Sequence, residues 1–427
     1  MSPLTPSIDG RRMSQKWANL VDVSWRRRRL SNGIEEDEAE TMIFSSGTRT
    51  DGSPLQYGES EYAFLDRCAD SYFAEVRRVM EEWMLEVPPE HRVSMERSLA
   101  SSDDAFQSAF WELYLHEAYR RSGYEIKIHP DLPDSPRHPD FLLSSGDDQF
   151  YLEAVRVGRS RSEIADEKRL DVVKRVVNRI PADQFIVSLT TYTIGSRSLP
   201  TGRLRDALRK WLGGLDPNVV ASLAKAGIGF SGLPELQWTN DDWSLEFHAL
   251  PLKSEARGRP TGLLGVQGPG EAVIVDNVTG IGRALEIKAA AYGPLDLPLV
   301  IAVLSNTVYP TRLYEIENAL YGISSYRPTE SPDHPESLFR QGFWLDRAGW
   351  RRSRVPKVIC ACNLLPWTTA SVRPTLWQTL EPEVSPVVQP DWLSRIAIRA
   401  EAQPEDSASL GAHFGLSNPW PPGQPFE

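Results

Sequence analysis

The stretch from His138 to Val157 constrains this chain more tightly than any other. Two apolar runs, Phe141-Leu142-Leu143 and Phe150-Tyr151-Leu152, flank Ser144-Ser145-Gly146-Asp147-Asp148, a cluster of turn-forming residues. The pattern predicts a β-hairpin. If the hairpin is centred between Gly146 and Asp147, Asp140 falls directly opposite Glu153. Opposed residues of an antiparallel pair share a face, with Cβ atoms about 4.5–5.5 Å apart. Two carboxylates that close repel, and one takes up a proton unless a cation lies between them. A hard divalent ion such as Mg²⁺, which favours carboxylate oxygens, resolves the conflict. The plain alternative is a pair of acids at a solvated strand edge.

Helix and strand patterns alternate around the hairpin. Tyr62 to Glu86 carries Leu65, Cys68, Tyr72, Val76, Val79, Met80 and Trp83 at helical spacing, and Pro88-Pro89 ends it. A short helical stretch fits Val93 to Leu99. Ser102-Asp103-Asp104 then supplies cap residues for a helix over Phe106 to Arg121, which Gly123 stops. Beyond the hairpin, helices fit Ser162 to Arg179, Thr201 to Leu212, a segment opened by Asp216-Pro217, Ile281 to Tyr292 and Arg312 to Tyr321. Strands fit Phe185 to Thr193, Trp243 to Leu250, Ala272 to Val278, Leu297 to Leu304 and Val355 to Cys362. Helices between strands imply an α/β architecture around a mixed sheet.

Composition narrows the function classes. The chain of 427 residues carries a net charge of −11, which does not favour nonspecific adhesion to DNA or anionic membranes. A local basic groove can still coexist with an acidic remainder. Candidates are Arg26 to Arg29, the set Arg156, Arg159 and Arg161, the set Arg203, Arg205, Arg209 and Lys210, and the run Arg351 to Lys357. The three cysteines, Cys68, Cys360 and Cys362, have no framework or zinc spacing. No apolar run approaches the ~20 residues of a membrane helix. A soluble, cytoplasmic protein without a membrane partner is expected.

An acid on a preceding helix, then Pro139-Asp140, a turn, and Glu153 inside an apolar strand resembles the signature of the PD-(D/E)XK nuclease superfamily. The resemblance covers about residues 106–193. It implies a restriction-endonuclease-like core, a central mixed β-sheet flanked by helices, with a helical N-terminal extension. The corresponding division is a flexible region over 1–60, a helical extension over 61–100, a nuclease-like domain over 101–375, and a proline-rich tail over 376–427. By the resemblance, Asp140, Glu153 and the backbone carbonyl of Ala154 would bind Mg²⁺ or Mn²⁺. The activity implied is phosphodiester hydrolysis in DNA or another nucleic acid, in a restriction or phage-defence setting. The alternative is a degenerate nuclease fold that only binds nucleic acid or a protein.

The helical acid is Glu112 or Glu117. The string Phe110-Trp111-Glu112-Leu113 favours Glu112 by the resemblance. The helical wheel favours Glu117, which continues the stripe of Phe106, Phe110 and Leu113. An acid on an apolar face needs a partner or a metal, and salt bridges to Arg120 or Arg121 would serve Glu117.

The sequence departs from the signature at the lysine position, which is Val155. Strand alternation puts Val155 on the face of Glu153 and Arg156 on the other, so Arg156 cannot take over. The replacement cation must come from elsewhere, or cleavage is lost. Lys288 is the first candidate, because it shares a helix face with Ile281, Leu285 and Tyr292. An ammonium there demands a carboxylate or phosphate, unless its stem snorkels to the surface. Arg169, aligned with Val173, Val176 and Ile180, is the second. The glycine turn Thr279-Gly280-Ile281-Gly282 lacks the third glycine of a dinucleotide fingerprint. His116, His129 and His138 flank the proposed site and are assigned surface or supporting roles. Trp83, Trp111, Trp211 and Trp243 sit in apolar patterns and read as core.

Overall fold

The computed structural model describes residues 42–133, 135–157, 161–226, 230, 232–258, 261–267, 277–307, 310–327, 336–346, 349–352, 354–379, 390, 392–395 and 407–426. The first 41 residues, with Arg26 to Arg29, lie outside these, as do Arg159 and positions 272–276 of the strand expected over Ala272 to Val278.

Among the described residues, four helices come first: α1 (Glu61–Arg67), α2 (Ser71–Glu86), α3 (Pro89–Ser101) and α4 (Asp103–Arg121). The single helix expected over Tyr62 to Glu86 is two. Asp70 breaks it, because its carboxylate accepts from the backbone N–H of Tyr72 (2.8 Å) and caps a new helix. Ser102 caps α4 in the same way through the N–H of Ala105, and Gly123 (φ +80°) turns the chain beyond its end.

The hairpin follows. Strand β1 (Glu125–Ile128) pairs antiparallel with β2 (Phe141–Ser145), and β2 with β3 (Asp148–Val157). Phe141 faces Leu152 and Ser145 faces Asp148, so Gly146 and Asp147 form the turn, with Gly146 at φ +61°. Continued by one residue, this register sets Asp140 against Glu153.

After the hairpin come α5 (Arg161–Asn178), β4 (Phe185–Thr193), α6 (Thr201–Gly213), α7 (Pro217–Ala226), β5 (Glu235–Asn240), β6 (Trp243–Pro251) and β7 (Leu264–Gln267). Then follow α8 (Asn277–Ala289), β8 (Leu299–Ser305), α9 (Leu313–Tyr321), β9 (Lys357–Cys362), β10 (Thr375–Gln378), β11 (Ser394–Arg395) and α10 (Ser407–His413). Two larger sheets result. The main one is seven-stranded in the order β1-β2-β3-β8-β9-β10-β11, with β3, β8 and β9 parallel. The second has four strands in the order β5-β6-β4-β7.

The strand that follows the hairpin in sequence is not its neighbour in the sheet. Phe185–Thr193 does not join β3; it builds the second sheet with α5 packed on it. The strand beside β3 is β8, reached through α8. The burial patterns explain the choice. β8 is buried at every position, as a central parallel strand must be, whereas the second half of β4 alternates toward solvent.

Side chains of β8 divide between two cores. Val300, Ala302 and Leu304 meet α1–α4, while Leu299, Ile301 and Val303 meet α8 and α9. The main sheet is thus flanked by helices on both faces. The helices of 61–100 share the first core with the sheet, and so do several of the described residues of 376–427. Thr375–Gln378 is a strand of the main sheet, Trp392, Phe414 and Trp420 are buried, and the exposed Phe426 ring lies tilted against Phe64 and Phe73. Aromatic burial outweighs the proline content there. No described helix is long and apolar enough to cross a membrane.

Trp111 ties α4 to the sheet, its indole N–H donating to the carbonyl of Ala302 on β8 (3.0 Å). Trp111→Phe keeps most of the apolar contact and loses that hydrogen bond. A loss of about 1 kcal/mol in stability is expected, read by urea unfolding. An unchanged midpoint would mean that the bond contributes nothing net.

Candidate functional site

The cavity beside the hairpin end has a volume of about 310 Å³ and is lined by Asp104, Ser108, Trp111, Glu112, Asp140, Ala154, Val155, Arg156 and Lys288. Three elements supply its charged groups. Helix α4 brings Glu112, the hairpin brings Asp140 and Glu153, and α8 brings Lys288. Glu153 is only 1% exposed and is joined to the cavity through Lys288, with which it pairs.

Two donors from the α8 region hold Glu153. The Lys288 ammonium pairs with Oε1, and the Tyr292 hydroxyl donates to Oε2. The backbone N–H of Asp140 also donates to Oε2 (3.3 Å). Asp140 is fixed in turn: its Oδ2 accepts from the N–H of Ala154 (2.7 Å), and its carbonyl accepts from the N–H of His129 (3.0 Å). The two facing acids are therefore laced through backbone N–H groups at the point where β2 and β3 begin to part.

The electrostatics follow from burial and crowding. Burial and then the carboxylates of Glu153 and Glu112 push Asp140 up to about 8. Burial and then Glu153 push Glu112 up to about 7. Burial disfavours the Lys288 ammonium, but the attraction of Glu153, Asp140 and Glu112 outweighs it and raises its pKa. The Asp104–Arg156 pair balances itself, and three further carboxylates face one ammonium, so full ionisation leaves excess negative charge in a confined space. A hard-oxygen donor set of this kind suits Mg²⁺ or Mn²⁺.

The structure separates the sequence candidates. Glu112, Asp140, Glu153, Ala154 and Lys288 converge. Glu117 does not: it is buried away from the cavity and accepts from Arg120 (2.8 and 3.0 Å) and Arg121 (2.5 Å). Arg169 does not either. It pairs with Asp166 (3.1 Å) on α5, whose apolar face packs on the second sheet. Arg156 is two residues from Ala154 on the face opposite Glu153, yet it lines the same cavity, where it pairs with Asp104 and meets Gln107 (3.1 Å). Val155 packs beside α8 in the second core.

His116 is buried next to Phe141, and burial lowers its pKa to about 4. His138 contacts the Pro130 carbonyl (3.3 Å), and His129 stacks edge-on against His91 (5.5 Å). Of the tryptophans read as core, Trp83, Trp111 and Trp243 are buried and Trp211 is half-buried. Tyr292 is the added site residue. Its place on the Lys288 face is legible in the helical pattern, but its hydroxyl role is not. Comparison with family models, curated proteins and solved structures gives no match for this chain.

Proposed function

We propose that the chain is a Mg²⁺- or Mn²⁺-dependent nuclease of the PD-(D/E)XK type, with DNA as its substrate. One observation carries this reading: Lys288, from a helix distant in sequence, meets Glu153 where the signature lysine is Val155. The site thus regains the acid–acid–cation composition that phosphodiester hydrolysis uses. Asp140 and Glu153, with the Ala154 carbonyl, would hold the divalent ion. When bound, that ion supplies activation of water and stabilisation of charge on the phosphate.

The remaining work falls to the chain itself. Lys288 keeps 30% of its side chain exposed toward the cavity, so its ammonium can reach a phosphate oxygen while its stem stays packed. There it offsets the charge that develops during attack. Tyr292 and the Asp140 N–H hold the Glu153 carboxylate in one orientation. Glu112, protonated more readily than an ordinary carboxylic acid, can hold a proton near neutral pH and release it as positive charge enters the site. A restriction or phage-defence setting would follow from the family likeness alone.

The second reading, a binding module without cleavage, is favoured by the engagement of both Glu153 oxygens. Purified full-length chain incubated with plasmid and single-stranded DNA, with Mg²⁺, Mn²⁺ or EDTA, separates the two. The expected result is metal-dependent cleavage that EDTA stops. Salt-sensitive binding without cleavage under any metal would replace the nuclease with the binding module.

A further inference from the structure

The second sheet carries a cluster that the nuclease reading does not use. Glu235 on β5 sits directly across from His248 on β6, and Glu246 lies two residues before His248 on the same face. The carboxylate of Glu235 approaches Nε2 of His248 at 3.9 Å, and that of Glu246 approaches Nδ1 at 3.9 Å. One donor atom from each of the three lies within 4.8 Å of the other two. Ligands around a divalent ion at about 2.0–2.2 Å stand roughly 3.4 Å apart, so small side-chain adjustments close the set.

Two hydroxyls on β4 border the same spot. The bulge between Leu189 and Thr191 turns Thr190 toward the cluster, where Oγ1 donates to Glu246 (2.8 Å) and meets His248 Nδ1 (3.2 Å). Ser188 pairs directly with His248 across the β4–β6 ladder, so both side chains share one face. Ser188 is fully buried, and its hydroxyl has no hydrogen-bond partner among the described residues. A buried hydroxyl left unmatched costs stability. It is placed to serve a water or ligand at this cluster. Phe230 covers the imidazole from one side (5.4 Å between centroids).

We infer that Glu235, Glu246 and His248 form a second divalent-metal site, for a Zn²⁺-like ion, that clips edge strand β5 to the second sheet. An imidazole with two carboxylates selects a borderline transition ion over Mg²⁺. Thr190 orients Glu246, as outer hydroxyls do for metal-binding carboxylates. An exposed edge strand is a weak point of any sheet, and the ion ties it to its neighbour through side chains from both strands. This inference stands independently of the nuclease reading.

The test uses the full chain carrying Asp140→Asn and Glu153→Gln, so that the first cavity contributes no metal binding. Calorimetric titration with Zn²⁺ is expected to give one ion per chain, with a rise in Tm that Mg²⁺ does not reproduce. Adding His248→Gln or Glu235→Gln is expected to weaken Zn²⁺ at least about tenfold, the lower end of what even outer partners contribute. The Zn²⁺-free Tm of each added variant, compared with its parent, reports on folding. Absence of Zn²⁺ binding in the parent, or binding unchanged by both added substitutions, would overturn the site.

Discussion

Lys288→Met is expected to lower metal-dependent cleavage by roughly 10²–10³-fold, the range seen when one preorganised charge stabiliser is removed. Nucleic-acid binding should change little, because a single ammonium in a deep cavity contributes a small part of a phosphate-contacting surface. The variant also leaves Glu153 buried without its cation, which costs of the order of 3 kcal/mol. Lost stability could then imitate lost chemistry. Measuring the Lys288→Met rate at a temperature where its unfolding curve shows the variant fully folded separates them. The double variant Lys288→Met with Glu153→Gln should recover thermal stability, since the neutral amide removes the stranded charge, and so accounts for the stability loss alone. Lys288→Arg is expected to recover cleavage only in part, because a planar guanidinium cannot occupy the position of a compact ammonium. Full activity in Lys288→Met, measured as initial rate at saturating Mg²⁺, would remove Lys288 from the reaction.

The position of that lysine was legible because a cation on the apolar face of a helix has few places to go. Ile281, Leu285 and Tyr292 face the core, so Lys288 either reaches solvent or finds an acid, and it pairs with Glu153. The hairpin register was legible for a similar reason: a two-residue turn at Gly146 fixes every pair that follows it. The choice between Glu112 and Glu117 was not. Helix α4 is buried on nearly all sides, with Leu113, Tyr114, Leu115, Ala118 and Tyr119 all enclosed. An apolar stripe therefore points to no single face, and only the packing of α4 on β3 distinguishes the two acids. The partner of β3 also lay beyond local pattern. Phe185–Thr193 and Leu299–Ser305 both read as strands, and the difference rests on burial of one face against two. The cluster at Glu235, Glu246 and His248 needs the register of two strands joined at Asp241, which takes a left-handed conformation (φ +52°) without glycine.

The raised carboxylates lead to the second large effect, on pH. Glu112 and Asp140 hold their protons in the folded chain to about 7 and about 8, well above the values of an unfolded chain. Between pH ~4 and ~8 the folded state therefore binds more protons than the unfolded state, and stability falls as pH rises through that window. For Glu112 alone the loss is at most about 3 kcal/mol, from the link between pKa and free energy. Glu112→Gln removes that contribution and relieves Asp140 of one like charge. The variant should match the native chain more closely near pH 4 and exceed its stability at pH 8, with metal chelated. Metal binding carries the opposite sign. A divalent ion needs the carboxylates ionised, so its affinity should rise about tenfold per pH unit for each proton released, below pH ~7. Urea unfolding from pH 4 to 8 in EDTA, with Mn²⁺ titrations over pH 6 to 8, measures both slopes. Parallel stability profiles for the native chain and Glu112→Gln, or a Mn²⁺ affinity independent of pH, would mean that the three acids do not share one charged site.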